Sequence, residues 1–334
     1  MIERRRFGHL HDGTPIDLIT MRHAGLELAV MNYGCVIVSL SVPDARGQAA
    51  NVVLGYDRLE PYLESSPYFG AFVGRYANRI ANATFSIDGR VHNVSPNEPP
   101  HHLHGGFWGF DKRVWEAETS RQSAAVLLRR RSADGEEGYP GALDAQVAYS
   151  IGDHGEVWMK CEATTDAPTH VNLTQHSYFN LRGGGDVLEH RLTIDASTYL
   201  PVDRRLIPTG ERAPVANTPF DFQQPREIGA RLKDDHDQLT IGGGYDHTFV
   251  LNRSAMPGDL AFAARVFDPL SGRTLEVSTT EPGLQFYSGQ VVGYRGFCLE
   301  PQHFPDSPNR PEFPSTLLRP GERYQTTTRY KFRT

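Results

Sequence analysis

The chain has little of several things, and each shortage excludes something. Three cysteines in 334 residues, Cys35, Cys161 and Cys298, are too few, too scattered and odd in number for a disulfide framework, so buried free thiols are expected. Each lies in an apolar, strand-like context. Positive charge is not in excess either: the net charge of -6 argues against a nucleic-acid partner, which would demand a basic face. Only Arg4-Arg5-Arg6 and Arg129-Arg130-Arg131 form short basic runs, and both read as solvated faces. No apolar stretch reaches about 18 residues, the length that spans a bilayer, and the charged opening Met1 to Leu10 has no signal-like apolar core. A soluble, cytoplasmic protein without a membrane partner is expected. Long helical periodicity, internal repeats and linker-like composition breaks are also missing, so one domain over residues 1–334 is the expectation.

What is present is period-two alternation broken by turn residues. Asp88-Gly89-Arg90 separates two apolar-alternating runs, as do Gly152-Asp153-His154-Gly155 and Asp268-Pro269-Leu270-Ser271-Gly272. Such spacing predicts antiparallel hairpins. Arg58 to Leu63 and Arg226 to Leu232 are the two segments with the pattern of a short helix. Gly183-Gly184-Gly185 and Gly242-Gly243-Gly244 read as loop crossings; no Lys-Ser/Thr follows the second, so it is not a phosphate cradle. The sum is an all-β protein of short strands in packed, twisted antiparallel sheets. Long loops near 92–112 and 200–226 are where function is expected to concentrate.

Two segments carry acid–base potential. Gly296-Phe297-Cys298-Leu299-Glu300-Pro301-Gln302 sets one carboxylate in an apolar strand, where burial lifts its pKa toward neutrality and makes Glu300 a candidate general base. Asn172-Leu173-Thr174-Gln175-His176-Ser177-Tyr178 sets a histidine in another strand. Tyr178, two residues after His176, would share its face. His101, His102 and His104 cluster temptingly for zinc, but no cysteine or acid sits at ligand spacing beside them. Asp246-His247 fits a turn-capping pair as well as a ligand contact. Of Arg75 and Arg79, we assign Arg79 to a ligand and Arg75 to a structural pairing with an acid.

Taken in order, Gly74-Arg75-Tyr76-Ala77-Asn78-Arg79-Ile80, Leu103-His104-Gly105-Gly106, the His176 run, Gly244-Tyr245-Asp246-His247-Thr248-Phe249 and the Glu300 run resemble the aldose 1-epimerase family, the galactose mutarotases. The resemblance extends to Asn32-Tyr33-Gly34 and Asn51-Val52-Val53-Leu54-Gly55-Tyr56 upstream, and to Leu318-Arg319-Pro320-Gly321-Glu322 downstream. It implies a β-supersandwich, interconversion of the anomers of free aldohexoses, and neither metal nor organic cofactor. It also implies roles: His176 as catalytic acid, Glu300 as catalytic base, and Asn78, Arg79, His104, Tyr178, Asp246 and Gln285 as sugar contacts. The partner is then a small-molecule aldose, and the protein a monomer or homodimer.

The chemistry fits those residue types. Anomer exchange takes a proton from the C1 hydroxyl and gives one to the ring oxygen, and two tuned groups on opposite sides of the hemiacetal suffice. His104, beside two glycines, is placed to steady charge developing near the ring oxygen. A hexose-6-phosphate mutarotase would need a cationic phosphate site, and the family branch with that preference lacks the Asn172-to-Leu181 wording. A glycoside hydrolase would need paired carboxylates, with only Glu300 and Asp246 on offer. A non-catalytic sugar-binding module would have no need of both Glu300 and His176.

Overall fold

Alternating apolar residues run along most strands, and they dictate a layered all-β architecture. In the computed structural model, residues 1–64, 66–120, 124–252 and 258–334 are described. The strand Leu143–Gly152 shows the cause most plainly: every second residue from Leu143 to Ile151 is buried, while the residues between face outward. Such a strand has one face to bury, and it does so by joining a nine-stranded sheet whose neighbouring strands all pair antiparallel. The C-terminal strand Tyr324–Arg333 lies inside this sheet, between Glu156–Thr165 and Thr274–Thr279.

A six-stranded sheet carries the residues that matter most below. Its order is Tyr178–Phe179, Phe297–Gln302, Gly283–Tyr287, Asp246–Leu251, Ala196–Tyr199, Ala213–Pro214. One face of it, with Phe249, Leu284, Phe286, Phe297 and Leu299, joins Val147, Tyr149, Met159, Val277 and Tyr330 of the larger sheet in a single hydrophobic core. Each such side chain contributes on the order of 1.5–3 kcal/mol of burial. A five-stranded N-terminal sheet, Ile2–His9 through Ala49–Asn51, completes the layers.

All three expected hairpins are present: Thr84–Ile87 with Arg90–Asn93, Leu143–Gly152 with Glu156–Thr165, and Ala261–Phe267 with Thr274–Thr279. The helix expected near Arg58 to Leu63 is a short one, Glu60–Glu64. That expected over Arg226 to Leu232 is not an α-helix. Arg226–Glu227 pairs with the strand Arg191–Ile194, and a 3₁₀ turn, Ile228–Arg231, follows. The reason is that the amides of Ile228 and Gly229 donate to the carbonyls of His190 and Leu188 rather than within a helix. Conversely, Gly242 is not part of a loop crossing: it ends a helix, Asp237–Gly242, which His236 caps by accepting from the amide of Gln238, and which Gly243 closes at φ +63°. The three cysteines are free and buried; Cys35 sits in a turn at φ +47° rather than on a strand.

Candidate active site

On the face of the six-stranded sheet turned away from the core, the sequence-predicted residues meet. Asn78, Arg79, His104, His176, Tyr178, Asp246, Gln285 and Glu300 all line one cavity of about 310 Å³. A larger open groove of about 670 Å³ lies over the nine-stranded sheet, but its charges satisfy one another, Arg131 with Asp144 and Arg323 with Glu162. It contains none of these residues, so the smaller cavity is the candidate site.

Glu300 owes its place to alternation. Along the wholly buried strand Phe297–Gln302, Leu299 enters the core while Cys298 and Glu300 reach the opposite face. Gln285 stands opposite Glu300 in register. Its amide is oriented by a chain of bonds: the Thr248 hydroxyl donates to Gln285 Oε1 at 2.5 Å, and Gln285 Nε2 donates to Asp246 Oδ1 at 2.6 Å. Asp246, the first residue of its strand, is therefore an acceptor in the cavity rather than a turn cap.

His176 ends the strand Thr174–His176, which pairs with Ala71–Val73, and Tyr178 begins a strand that pairs with Phe297–Gln302. The chain changes partner between them, yet the rings stack, centroids 5.1 Å apart and 25° from parallel. His176 Nδ1 meets Cys298 Sγ at 3.5 Å, and Nε2 lies 3.8 Å from Glu300 Oε1. The two proposed proton carriers are thus neighbours. Neighbouring groups suit the chemistry because the C1 hydroxyl and the ring oxygen are bonded to the same carbon.

Burial governs the charges. It lifts the Glu300 carboxyl well above its usual range, and the like charge of Asp246 adds to this while Arg79 opposes it. Glu300 Oε2 has no hydrogen-bond partner, consistent with a group waiting for a ligand. Burial lowers His176 to about 4. Both shifts favour the uncharged forms, a protonated Glu300 beside a neutral His176, over the ion pair. Desolvation penalises both charges, and a neutral pair avoids that cost.

His104 is held as a defined tautomer. The Asn78 amide donates to His104 Nδ1 at 3.1 Å, so the proton must sit on Nε2, and burial keeps the ring uncharged, with His176, Arg79 and Lys112 adding to the effect. The neighbouring glycines are obligatory: a Cβ on Gly105, at φ +87°, would collide with the carbonyl of Gly74. Of the two arginines, Arg75 is structural, but its partners are the Ser132 side chain and the carbonyls of Ser132, Ala133, Pro140 and Gly141, not an acid. The acid pairs with Arg79 instead: Glu98 accepts from its Nε at 2.6 Å and from its Nη2 at 2.8 Å. Burial works against the Arg79 charge, yet Glu98 and Asp246 outweigh it and its pKa is raised.

The zinc alternative dissolves. His102 bonds Ser95 O and Tyr139 OH, His101 accepts from the Asn82 amide, and neither converges with His104. His104, His176 and Glu300 do bring donor atoms within 4.8 Å of one another. A metal on His104 Nε2 would, however, force that ring's proton onto Nδ1, against the Asn78 N–H. The sequence reading missed Tyr68, Glu98, Tyr287 and Val291, which also line the cavity. Tyr287 ends the run Pro282 to Tyr287 that carries Gln285, and the others come from loops and a 3₁₀ turn with no motif to mark them.

The chain is similar to known proteins along nearly its whole length. The family profile described as Aldose 1-epimerase matches residues 17–331. A galactose mutarotase of Homo sapiens is 45% identical over 347 aligned positions, covering 99% of this chain and 98% of the relative. An aldose 1-epimerase of Escherichia coli K12 is 40% identical, covering 96% of each. The crystal structure of a galactose 1-epimerase from Lactobacillus acidophilus superposes with a TM-score of 0.88 at 29% identity, over 100% of this chain and 98% of that one.

Proposed function

The chain belongs to the aldose 1-epimerase family, and from that premise we propose that it interconverts the α and β anomers of free aldohexoses, galactose and glucose among them, acting as one domain without a metal. The observation that carries the proposal is the 3.8 Å approach of Glu300 Oε1 and His176 Nε2 inside one buried cavity. With a hemiacetal bound, Glu300 takes the proton from the C1 hydroxyl as His176 delivers one to the ring oxygen, and the C1–O5 bond breaks to give the open aldehyde. Rotation about C1–C2 presents the other face of the carbonyl. The same two groups then run the transfers backwards.

The electrostatics bear on the proton transfers. Ring opening converts an ionised Glu300 and a cationic His176 into a protonated Glu300 and a neutral His176, which is the pair the buried site favours. Forming the ion pair from the neutral one costs desolvation; ring opening returns that cost and ring closure incurs it again. His104 Nε2–H is a neutral donor suited to the oxygen on which charge develops.

A neutral sugar fits better than a phosphorylated one. Among the described residues Arg79 is the sole Arg or Lys lining the cavity, and Glu98 already takes it in a bidentate pair, with Asp246 and Glu300 as further carboxyl groups. A phosphate dianion would meet acids there. Polarimetry of freshly dissolved α-D-galactose, α-D-glucose and glucose 6-phosphate tests the reading. Acceleration of the two free sugars is expected, and acceleration of the phosphate alone would overturn it.

A further inference from the structure

Tyr68 touches both cavity histidines, and its backbone is in a conformation that an aromatic residue adopts only when held there. Its φ is +63°, in the left-handed region. What holds it is a set of bonds fastening segment 66–71 to the strand that carries His176. The Phe69 amide donates to Ser66 Oγ at 3.1 Å, and the Ala71 amide to the Tyr68 carbonyl at 3.0 Å. The Gly70 amide donates to the His176 carbonyl at 3.1 Å, and Gln175 Nε2 donates to the Gly70 carbonyl at 2.6 Å. Gln175 is itself fixed by the Tyr149 hydroxyl at 2.6 Å. The Ile37 amide also donates to the Gly70 carbonyl at 2.8 Å, and a Cβ at position 70 would collide with the Ile37 carbonyl, so only glycine allows this approach.

The outcome is a ring stacked on His176, centroids 5.7 Å apart and 23° from parallel, with His104 edge-on at 4.7 Å. The other groups facing His176 are Glu300 and Cys298 from one strand, Tyr178 from the next, and His104. Lys112 Nζ lies 5.2 Å from the Tyr68 ring centroid, but Asp111 pairs with it at 2.7 Å; Glu98 and Arg79 offset each other nearby. Among the described residues no acid but Glu300 is therefore in contact with the imidazole. The π face of an aromatic ring is the remaining means of stabilising a positive charge on it.

We propose that Tyr68 is a positioning residue of this site: its ring fixes the plane of the His176 imidazole and stabilises the imidazolium that must exist when a hemiacetal is bound. The proposal rests on the reading of His176 as the acid. Its experiment compares Tyr68→Phe, Tyr68→Leu and pentafluorophenylalanine at position 68, measuring mutarotation of α-D-galactose from pH 2.5 to 9. Tyr68→Phe keeps the ring and should retain most of the turnover. Tyr68→Leu should lower kcat about 3- to 30-fold, the range of one ring–cation contact, and move the acid limb of the profile to lower pH, with KM changing far less. The fluorinated ring keeps the shape and reverses the face's electrostatics, so it should behave like Leu even if Tyr68→Leu fails to fold. Equal losses in Phe and Leu, a pure rise in KM, or full activity with the fluorinated ring would overturn the proposal. His176→Asn, run alongside, separates the two readings: if it keeps wild-type turnover, the acid assignment itself fails, whatever the Tyr68 variants do.

Discussion

Oε1 of Glu300 stops 3.8 Å from Nε2 of His176, too far for a hydrogen bond and close enough for both atoms to reach oxygens on one carbon. Glu300→Gln keeps the shape and loses the base. Mutarotation should fall by at least 10²-fold while sugar binding, read by calorimetry, is largely retained. A variant with more than about a tenth of the wild-type rate would reject Glu300 as the base.

The two histidines should differ in degree. His176→Asn removes the proton donor and should slow ring opening severely, whereas His104→Asn removes an assisting donor and should do partial damage. If His104→Asn lost all activity and His176→Asn little, the roles and the sugar's orientation would have to be exchanged.

The pH profile follows from the direction of the two shifts. Below about 4, His176 gains a proton while Glu300 already holds one, and no base remains; that is the acid limb. Above the raised value of Glu300 the shared proton is lost, and no acid remains. The acid limb therefore reports His176 and the alkaline limb Glu300, the inverse of a simple ionised-base, protonated-acid assignment. Nitrogen NMR of the free protein should find His176 neutral at pH 7, and a cationic ring there would refute the assignment.

Dialysis against a strong chelator should leave the rate unchanged, because the Asn78 amide holds His104 in the tautomer that cannot offer Nε2 to a metal. Activity lost on chelation and restored by zinc would show that this hydrogen bond yields to a metal.

Acid should cost stability through histidines buried neutral. His170, which stacks edge-on against Phe85 and bonds Thr316 Oγ1, is lowered to about 4 by burial. Between its ordinary value of 6.5 and that value, the unfolded chain takes up the proton and the folded one does not. Folding is therefore penalised as pH falls, by up to about 1.4 kcal/mol per pH unit. His170→Asn removes this term, so the stability gap between it and the wild type, measured by urea titration, should narrow from pH 6.5 to pH 4.5. A constant gap would show that His170 does not titrate differently in the two states.

Much was decided locally. The alternation in Leu143–Gly152, the Asp88-Gly89 turn and the apolar setting of Glu300 are properties of a few adjacent residues, and they determined the all-β class, the hairpins and the candidate base. The ordered motifs, through their resemblance to one family, named the residues that line the cavity. What the tertiary structure alone decided are the quantities that depend on distant neighbours. Whether Arg75 or Arg79 meets an acid was settled by where the Glu98 loop lands. Strand pairing drew Arg226–Glu227 out of a helix. The upward shift of Glu300 and the downward shift of His176 were set by burial between layers, since desolvation depends on everything packed around a charge and not on the residues beside it in the chain.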